Sequence, residues 1–232
     1  MAVKNTAGRL KVMYAFLLLF GPAILLVFIS TRGCEHKFKT LDDFGAVTDY
    51  SFTDARGKKF TSKDFKGDVV LITTLQETCP DTCSISFWHM NQAIYQHIKN
   101  NKRKKMKRVR IISFVTDGEG NPVKDLSVLR QSMEDNVLEY DPDTWILASG
   151  DSKKVYDIER NNKSLLAEGD EFFGGQAFQE LILLVDKQNH LRMVLSGTSE
   201  GMIRRMKEHI ALLQKQYDKE NAKLKQRTLF IV

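Results

Sequence analysis

Cys79 and Cys83 are the residues of this 232-residue chain whose type and spacing most plainly allow chemistry. They enclose Pro80, Asp81 and Thr82 in the segment CPDTC. If a helix begins here, Pro80 falls in its first turn, where a missing N–H is tolerated, and both sulfurs lie near the positive end of the helix dipole. That field is expected to lower the pKa of at least one thiol below about 8.5. Such a pair can form a disulfide, exchange with another disulfide, or bind a thiophilic metal such as Cu(I).

The two sulfurs are expected to differ in exposure. Cys83 begins an apolar stripe that continues along the predicted helix, so we expect Cys79 to be the exposed sulfur and Cys83 its more buried partner. The alternative is that both are small buried apolar side chains, a common use of free cysteine. The third cysteine, Cys34, could form a metal site with His36, although a solvated pair without function is the simpler interpretation.

The elements around the cysteines predict a strand that leads directly into a helix. The run Val69–Leu75 is rich in β-branched side chains and is typical of a strand buried on both faces. After CPDTC, apolar residues recur with a helical period at Phe87, Met90, Ile94 and Ile98. A second strand, Val109–Val115, ends in an acidic, glycine-rich loop. If the strands are parallel, this loop opens beside the cysteines, where its Asp117 could transfer protons or simply shape the turn.

The rest of the chain alternates strand and helix patterns. The predicted elements are a hairpin of Tyr50–Thr53 and Lys59–Thr61, a helix Val123–Glu134, a strand Trp145–Ala148, a helix Ser152–Glu159, a hairpin of Leu181–Val185 and Leu191–Leu195, and a last helix with apolar residues from Ile203 to Tyr217. This alternation predicts an α/β layer architecture, and cysteines at its first major strand-to-helix junction make it thioredoxin-like.

An uncharged segment precedes the predicted domain. Met13–Ser30 contains 18 residues without a charge, close to the lower limit for a helix that spans a bilayer. No Ala-x-Ala pattern follows, which favours a retained N-terminal transmembrane helix over a cleaved signal peptide. The alternative is a lipoprotein signal cleaved before Cys34, which is disfavoured because Arg32 stands where a small residue is expected. The predicted order is an N-terminal arm at 1–12, the anchor at 13–30, a linker at 31–46, the thioredoxin-like domain at 47–217 and a charged tail at 218–232. The short arm favours a single-pass protein of the bacterial inner membrane whose soluble domain faces the periplasm.

The net charge of +6 is concentrated in one stretch. Of the 35 basic residues, seven lie between Lys102 and Arg110. No aromatic platform or nucleic-acid motif accompanies them, so we expect no nucleic-acid partner. The stretch is either a solvated loop or a contact with anionic lipid headgroups or an acidic protein.

The combined motifs resemble the SCO/SenC family. They are the anchor, DYSFTDARGKKFTSKDFKGDVVLIT, CPDTC, RIISFVTDGEGNP and the hairpin that contains LLVD, and the similarity spans Asp49–Tyr217. The resemblance implies a membrane-tethered thioredoxin-like domain that acts in assembling the copper site of cytochrome c oxidase, with the oxidase subunit that binds copper as its partner. It also implies that Cys79 and Cys83 are the copper-binding or redox thiols and that they form a disulfide.

One family feature is missing. The resemblance implies a third copper ligand, a histidine shortly before the last hairpin, but that position falls at or near Phe178, and no histidine occurs between His97 and His190. Two thiolates can hold Cu(I), whereas Cu(II) prefers nitrogen or oxygen donors, so Cu(II) binding should be weakened or lost. Two other histidines could replace the missing ligand only from less suitable positions. His89 lies on another face of the predicted helix, and His36 would have to reach the cysteines from the linker.

Three functional hypotheses follow. The first is a copper-binding assembly factor that delivers Cu(I) through Cys79 and Cys83. The second is a thiol-disulfide oxidoreductase that binds no copper and reduces the cysteines of the same oxidase subunit or of another client. The third is a tethered binding domain whose cysteines form a structural disulfide.

Overall fold

The computed structural model describes residues 6–33, 40–77, 87–100, 108–160, 163–167 and 177–229. The chain divides into two compact units, Met1–Lys39 and Thr40–Val232. The first unit contains one long helix, α1 (Thr6–Gly33), which includes Pro22 and extends beyond both ends of the predicted anchor. Among the described residues, no helix is both long enough and apolar enough to cross a membrane.

A seven-stranded mixed sheet organises the second unit. Its strands are β1 (Ser51–Asp54), β2 (Lys59–Thr61), β3 (Val69–Gln76), β4 (Val109–Thr116), β5 (Trp145–Gly150), β8 (Leu181–Val185) and β9 (Leu191–Ser196). They are arranged in the order β2-β1-β5-β4-β3-β8-β9. The central strands β3, β4 and β5 are parallel, and the outer pairings are antiparallel. We call the edge where the parallel strands end the carboxyl edge and the edge where they begin the amino edge.

Short elements connect and cover the sheet. A π-helical segment (Met90–Tyr95) leads into α2 (Gln96–Asn100), followed by α3 (Ser127–Asn136), α4 (Ser152–Tyr156) and α5 (Glu200–Leu229). Strands β6 (Glu159–Arg160) and β7 (Lys163–Ser164) form a separate antiparallel pair. A 3-10 helix, Ala177–Glu180, enters β8.

Alternate residues of the central strands form cores on the two faces of the sheet. Val69 and Leu71 belong to the cluster that includes the apolar side of α5, whereas Val70 and Ile72 belong to the cluster that includes Tyr156. Both faces of β3 are therefore buried, as its β-branched sequence predicts. The parallel strands, both hairpins and the α/β class are confirmed.

Several boundaries differ from the predicted ones. Helix α3 begins at Ser127 rather than Val123, because the Val123 amide donates to the Val115 carbonyl and Asp125 accepts from the Ser127 amide. Helix α4 begins where predicted, with Asp151 accepting from the Lys154 amide, but ends at Tyr156.

The two ends of the domain also differ from the predicted ones. Helix α5 continues through the predicted charged tail to Leu229. The predicted linker reaches residue 46, but residues 40–46 belong to the second unit, where Leu41 is buried and Ala46 bridges His190. The physical cause is a set of hydrogen bonds between residues 41–45 and the first two residues of β9, Leu191 and Arg192.

Candidate functional site

The candidate site is the segment between β3 and the helix that follows it. Cys79 and Cys83 lie outside the described residues, so their pairing and relative exposure stay predictions. The described chain stops at Glu77 and resumes at Phe87. Gln76 pairs in register with Thr116, and the Glu77 amide donates to the Thr116 carbonyl at 2.8 Å. The cysteine segment therefore leaves the sheet at the carboxyl edge, beside the end of β4.

The helix after the cysteines carries the predicted apolar stripe. Met90, Ile94 and Ile98 are buried, and Phe87 packs on Trp145 with ring centroids 5.4 Å apart. No pattern in the sequence indicates that residues 90–95 are π-helical. The additional residue in this turn brings Tyr95 into the core as well.

Tyr95 fixes this helix to the loop before β5. Its hydroxyl donates to the Glu139 carbonyl at 2.7 Å and accepts from the Asp141 amide at 2.8 Å. Both groups belong to the turn that follows α3, so the helix leaving the cysteine segment has a fixed position on the sheet.

Phe178 occupies the region where the missing ligand was expected. Its side chain is 2% exposed and packs against Tyr156, with ring centroids 5.1 Å apart. It belongs to the same apolar cluster as Ile72 and Phe114. The Phe178 side chain is therefore a core residue.

Gln179, the next residue, connects three elements at the carboxyl edge. Its side-chain oxygen accepts from Gln76, its side-chain nitrogen donates to the Asp117 carbonyl at 3.0 Å, and its backbone carbonyl accepts from the Thr74 hydroxyl at 2.6 Å. The ends of β3 and β4 and the 3-10 helix before β8 are thereby joined. Sequence reasoning missed this residue, because a glutamine after an apolar residue carries no signal of its own.

Asp117 shapes the loop after β4. Its carboxylate accepts from the amides of Glu119 and Asn121 at 2.9 and 2.8 Å and from the Asn121 side chain at 3.0 Å. The hydrogen bonds from Asn121 lower the pKa of Asp117. All of these contacts favour the ionised carboxylate. The structure therefore supports a role for Asp117 in forming the turn and does not support a role in proton transfer.

Two other histidines, His89 and His190, each contact a carboxylate rather than a group of possible metal ligands. The His89 ring contacts Trp88 edge-on, and its Nε2 lies 3.9 Å from Glu200 Oε2, which directs it towards the start of α5. His190 binds Asp43, with 2.9 Å between Nδ1 and Oδ2. Within the described ranges, no three His, Cys, Asp or Glu residues are grouped closely enough to hold a metal. Cys34 and His36 lie outside these ranges.

Comparison with known sequences decides the family. The sequence model of SCO1/SenC matches residues 39–213, which is most of the chain. The chain belongs to the SCO1/SenC family. No curated protein matches it closely in sequence. The family match begins at 39, which agrees with the observed start of the second unit rather than with the predicted start at 47.

Solved structures of SCO1/SenC relatives share the fold. BsSco, described as a member of the Sco family of cytochrome c oxidase assembly proteins with a disulfide switch, is 17% identical, with a TM-score of 0.55 over 76% of this chain and 98% of BsSco. A SCO1/SenC family lipoprotein from Bacillus anthracis str. Ames is 22% identical, with a TM-score of 0.50 over 72% of this chain and 96% of that one. The thioredoxin-like α/β architecture is thus confirmed.

Proposed function

We propose that this SCO1/SenC protein acts in cytochrome c oxidase copper-site assembly, with Cys79 and Cys83 as its working groups. The oxidase subunit that binds copper is the proposed partner. The observation that carries the proposal is that β3 ends at the carboxyl edge and that a helix fixed by Phe87 and Tyr95 follows, because CPDTC connects these two elements in the sequence. Ligand and redox sites of open α/β sheets lie at this edge.

Burial of Phe178 limits the copper chemistry that the site can support. Phe178, in the third-ligand region, is apolar and only 2% exposed, so the two sulfurs are the donors that we propose. A pair of thiolates suits Cu(I) and lacks the nitrogen donors that Cu(II) prefers. Copper is therefore proposed as cargo in its Cu(I) form.

Thiol-disulfide exchange is the alternative at the same site. One cysteine thiolate attacks a client disulfide and forms a mixed disulfide, and the second cysteine displaces the client thiolate. The client gains two electrons and two protons, and the Cys79–Cys83 disulfide is formed. A dithiol reductant must restore the reduced pair. No histidine is needed, so the replacement at residue 178 does not weaken this chemistry.

We further propose that the N-terminal segment 13–30 tethers the domain to the bacterial inner membrane, with the domain in the periplasm. The support is the uncharged 18-residue sequence of Met13–Ser30 and the helical conformation of Thr6–Gly33. An oxidising compartment would keep the cysteine pair as a disulfide unless reductant were supplied.

The test compares Cys79→Ser and Cys83→Ser with the unchanged chain. Under anaerobic loading, the unchanged reduced protein should bind at most one Cu(I), and either substitution should abolish tight binding, because one thiolate lacks its partner. The oxidase of cells that carry either variant should lose copper-site maturation. Cys34→Ser is the matched control and should leave both measurements unchanged.

The redox potential of the pair separates the alternatives. Exchange activity with a potential above about −300 mV, and no Cu(I) retention, would favour the oxidoreductase. A lower potential without either activity would indicate a structural disulfide. Tight, stoichiometric Cu(II) binding would contradict the proposed ligand set.

A further inference from the structure

The last residues of β3 are polar, although the strand begins as an apolar one. Val69–Ile72 is apolar and buried on both faces, whereas Thr73–Gln76 contains three polar side chains. Thr74 is 7% exposed, and its hydroxyl donates to the Gln179 carbonyl at 2.6 Å. Burying a polar side chain costs free energy that its hydrogen bond largely offsets, so an apolar residue would serve the core as well. The polar end of β3 therefore indicates a role beyond packing.

These polar side chains form one network around Gln179. The side-chain oxygen of Gln179 accepts from Gln76, and its side-chain nitrogen donates to the Asp117 carbonyl at 3.0 Å. Both polar atoms of this amide, which belongs to a residue only 9% exposed, thus have a partner. A buried network whose members all have partners makes the local geometry rigid. Gln76 is therefore held against the loop after β4 and the 3-10 helix before β8.

Gln76 is the last residue of β3 and stands just before the cysteine segment. Only Glu77 and Thr78 separate it from Cys79 in the sequence. The Glu77 amide is also bound, to the Thr116 carbonyl at 2.8 Å. The network therefore fixes the point from which the chain continues towards Cys79.

The other end of the cysteine segment has a different anchor. Phe87 packs on Trp145, with ring centroids 5.4 Å apart, and three residues separate Cys83 from Phe87 in the sequence. Two thiols react as a pair only at a suitable separation, because a disulfide requires Cα atoms within about 7 Å. Fixing both ends of a short segment restricts its conformations, which raises the effective concentration of one thiol at the other.

We propose that Gln179, acting through Gln76, is a positioning residue for the cysteine pair. It holds the start of the segment, so that the two sulfurs form a disulfide or bind one Cu(I) more readily than they would without this anchor. This inference rests on the proposed function of Cys79 and Cys83. When the Gln76–Gln179 hydrogen bond is removed, the segment loses its side-chain anchor, and ordering it for reaction costs more conformational entropy.

The effective concentration of the two thiols, measured as the equilibrium of the Cys79–Cys83 disulfide with glutathione, tests the proposal. The full chain in detergent, with Cys34→Ser in every sample, is equilibrated in glutathione buffers, and free thiols are trapped for mass spectrometry. Gln76→Leu should lower this constant about fivefold, the factor expected for one lost hydrogen bond. Gln179→Leu loses two such bonds and should lower it at least as much.

The affinity for Cu(I) is the second measurement, made by competition with a chelator. It should fall by a similar factor in Gln76→Leu and Gln179→Leu, because chelation needs the same arrangement of the two sulfurs. Leucine is chosen instead of methionine, since a thioether could itself bind Cu(I).

Two further variants separate positioning from general destabilisation. The Tyr156 hydroxyl donates to the Leu181 carbonyl at 2.8 Å, in the same apolar cluster as Phe178. Tyr156→Phe therefore removes one buried hydrogen bond away from the end of β3. It should lower stability to urea and leave both constants unchanged. Gln76→Leu combined with Gln179→Leu should behave like Gln179→Leu alone, because the two side chains act as one unit.

The outcomes distinguish this inference from the proposed function. If the unchanged protein neither retains Cu(I) nor exchanges disulfides, the proposed function fails and the positioning role fails with it. If the unchanged protein has this chemistry but the two glutamine variants keep both constants within about twofold, only the positioning role is overturned. An equal loss in Tyr156→Phe would also overturn it, because thiol chemistry would then follow overall stability. Additive losses in the double variant would show that Gln179 does not act through Gln76.

Discussion

At the scale of single residues, Phe178 is the position on which the proposed choice of Cu(I) over Cu(II) depends. Its ring lies so close to Gly120 that a Cβ there would stand 2.7 Å from the Phe178 ring. Gly120 also has a φ of +79°, in the left-handed region that favours glycine. The loop after β4 therefore packs directly on the Phe178 ring, and this contact holds the side chain in the core.

Phe178→His should therefore destabilise the protein without creating a copper ligand. Replacing a buried ring by a smaller polar one loses apolar contacts and buries an imidazole, so the free energy of unfolding should fall by about 2–4 kcal/mol. Urea denaturation measures this loss, and electron paramagnetic resonance measures Cu(II) binding, which should stay weak.

Phe178→Leu is the control for lost volume alone. It keeps an apolar side chain, and the loss should be about half as large. Recovery of tight Cu(II) binding in Phe178→His at wild-type stability would show that this side chain faces the cysteines rather than the core.

At the scale of elements, hydrogen bonds and ion pairs hold residues 40–46 on β9. The Phe44 amide donates to the Leu191 carbonyl and the Leu191 amide to the Gly45 carbonyl, both at 2.9 Å. The guanidinium of Arg192, which is 8% exposed, donates to the carbonyls of Leu41 and Asp42. These bonds make the segment a part of the domain.

Asp43 should give this attachment a pH dependence. The hydrogen bond from His190 is the main cause that lowers the pKa of Asp43 in the folded protein. Its contribution to stability is then complete above the unfolded-state pKa of about 3.9 and is lost as pH falls through the lower folded-state value. Asp43→Asn should lower the free energy of unfolding near pH 6 by less than about 1 kcal/mol, because the pair is partly exposed.

Urea denaturation between pH 6 and pH 2 checks this prediction. The difference between the unchanged protein and Asp43→Asn should shrink towards the acid end. Asp42→Asn removes the same charge one residue earlier and should show no such trend. A difference that persists unchanged at pH 2 would contradict the assignment to the Asp43 carboxylate.

At the scale of the whole molecule, residue 40 marks the start of a unit with its own cores. Both apolar clusters are formed by residues from Leu41 onward. The boundary of this unit follows from the packing of residues 40–46 on β9 rather than from any single motif.

Two fragments test the boundary. Residues 40–232 should unfold cooperatively, with a free energy close to that of the domain in the full chain. Residues 47–232 lack Leu41 and the acceptors of Arg192, so a buried guanidinium loses partners and the fragment should be less stable by about 3–5 kcal/mol. Urea denaturation of the two fragments measures the difference.

Truncation at the other end is the control. Residues 40–220 lack the end of α5, where Asn221, Ala222 and Leu224 are exposed, and should keep their stability within about 1 kcal/mol. Equal stability of the fragments 40–232 and 47–232 would place the domain boundary after residue 46, at the predicted end of the linker.

The strands were predictable because their signals are local. The β-branched runs of β3 and β4 can be buried only as central strands, and the period of Ile203, Met206 and Ile210 fits only a helix. Helix ends were less predictable, since the start of α3 depends on the Val123 amide pairing with Val115, a partner eight residues away. The π-helical turn likewise depends on a tertiary partner, the loop that binds Tyr95.

The sequence by itself determined the α/β class, the cysteine pair at a strand-to-helix junction, the absence of a histidine between His97 and His190, and the basic stretch. These are properties of residue type and short-range period. Only the tertiary structure decided that Phe178 is buried, that Gln179 joins the ends of β3 and β4, and that residues 40–46 pack on β9. Each of these depends on contacts between residues far apart in the chain, whose partners are set by the order of strands in the sheet.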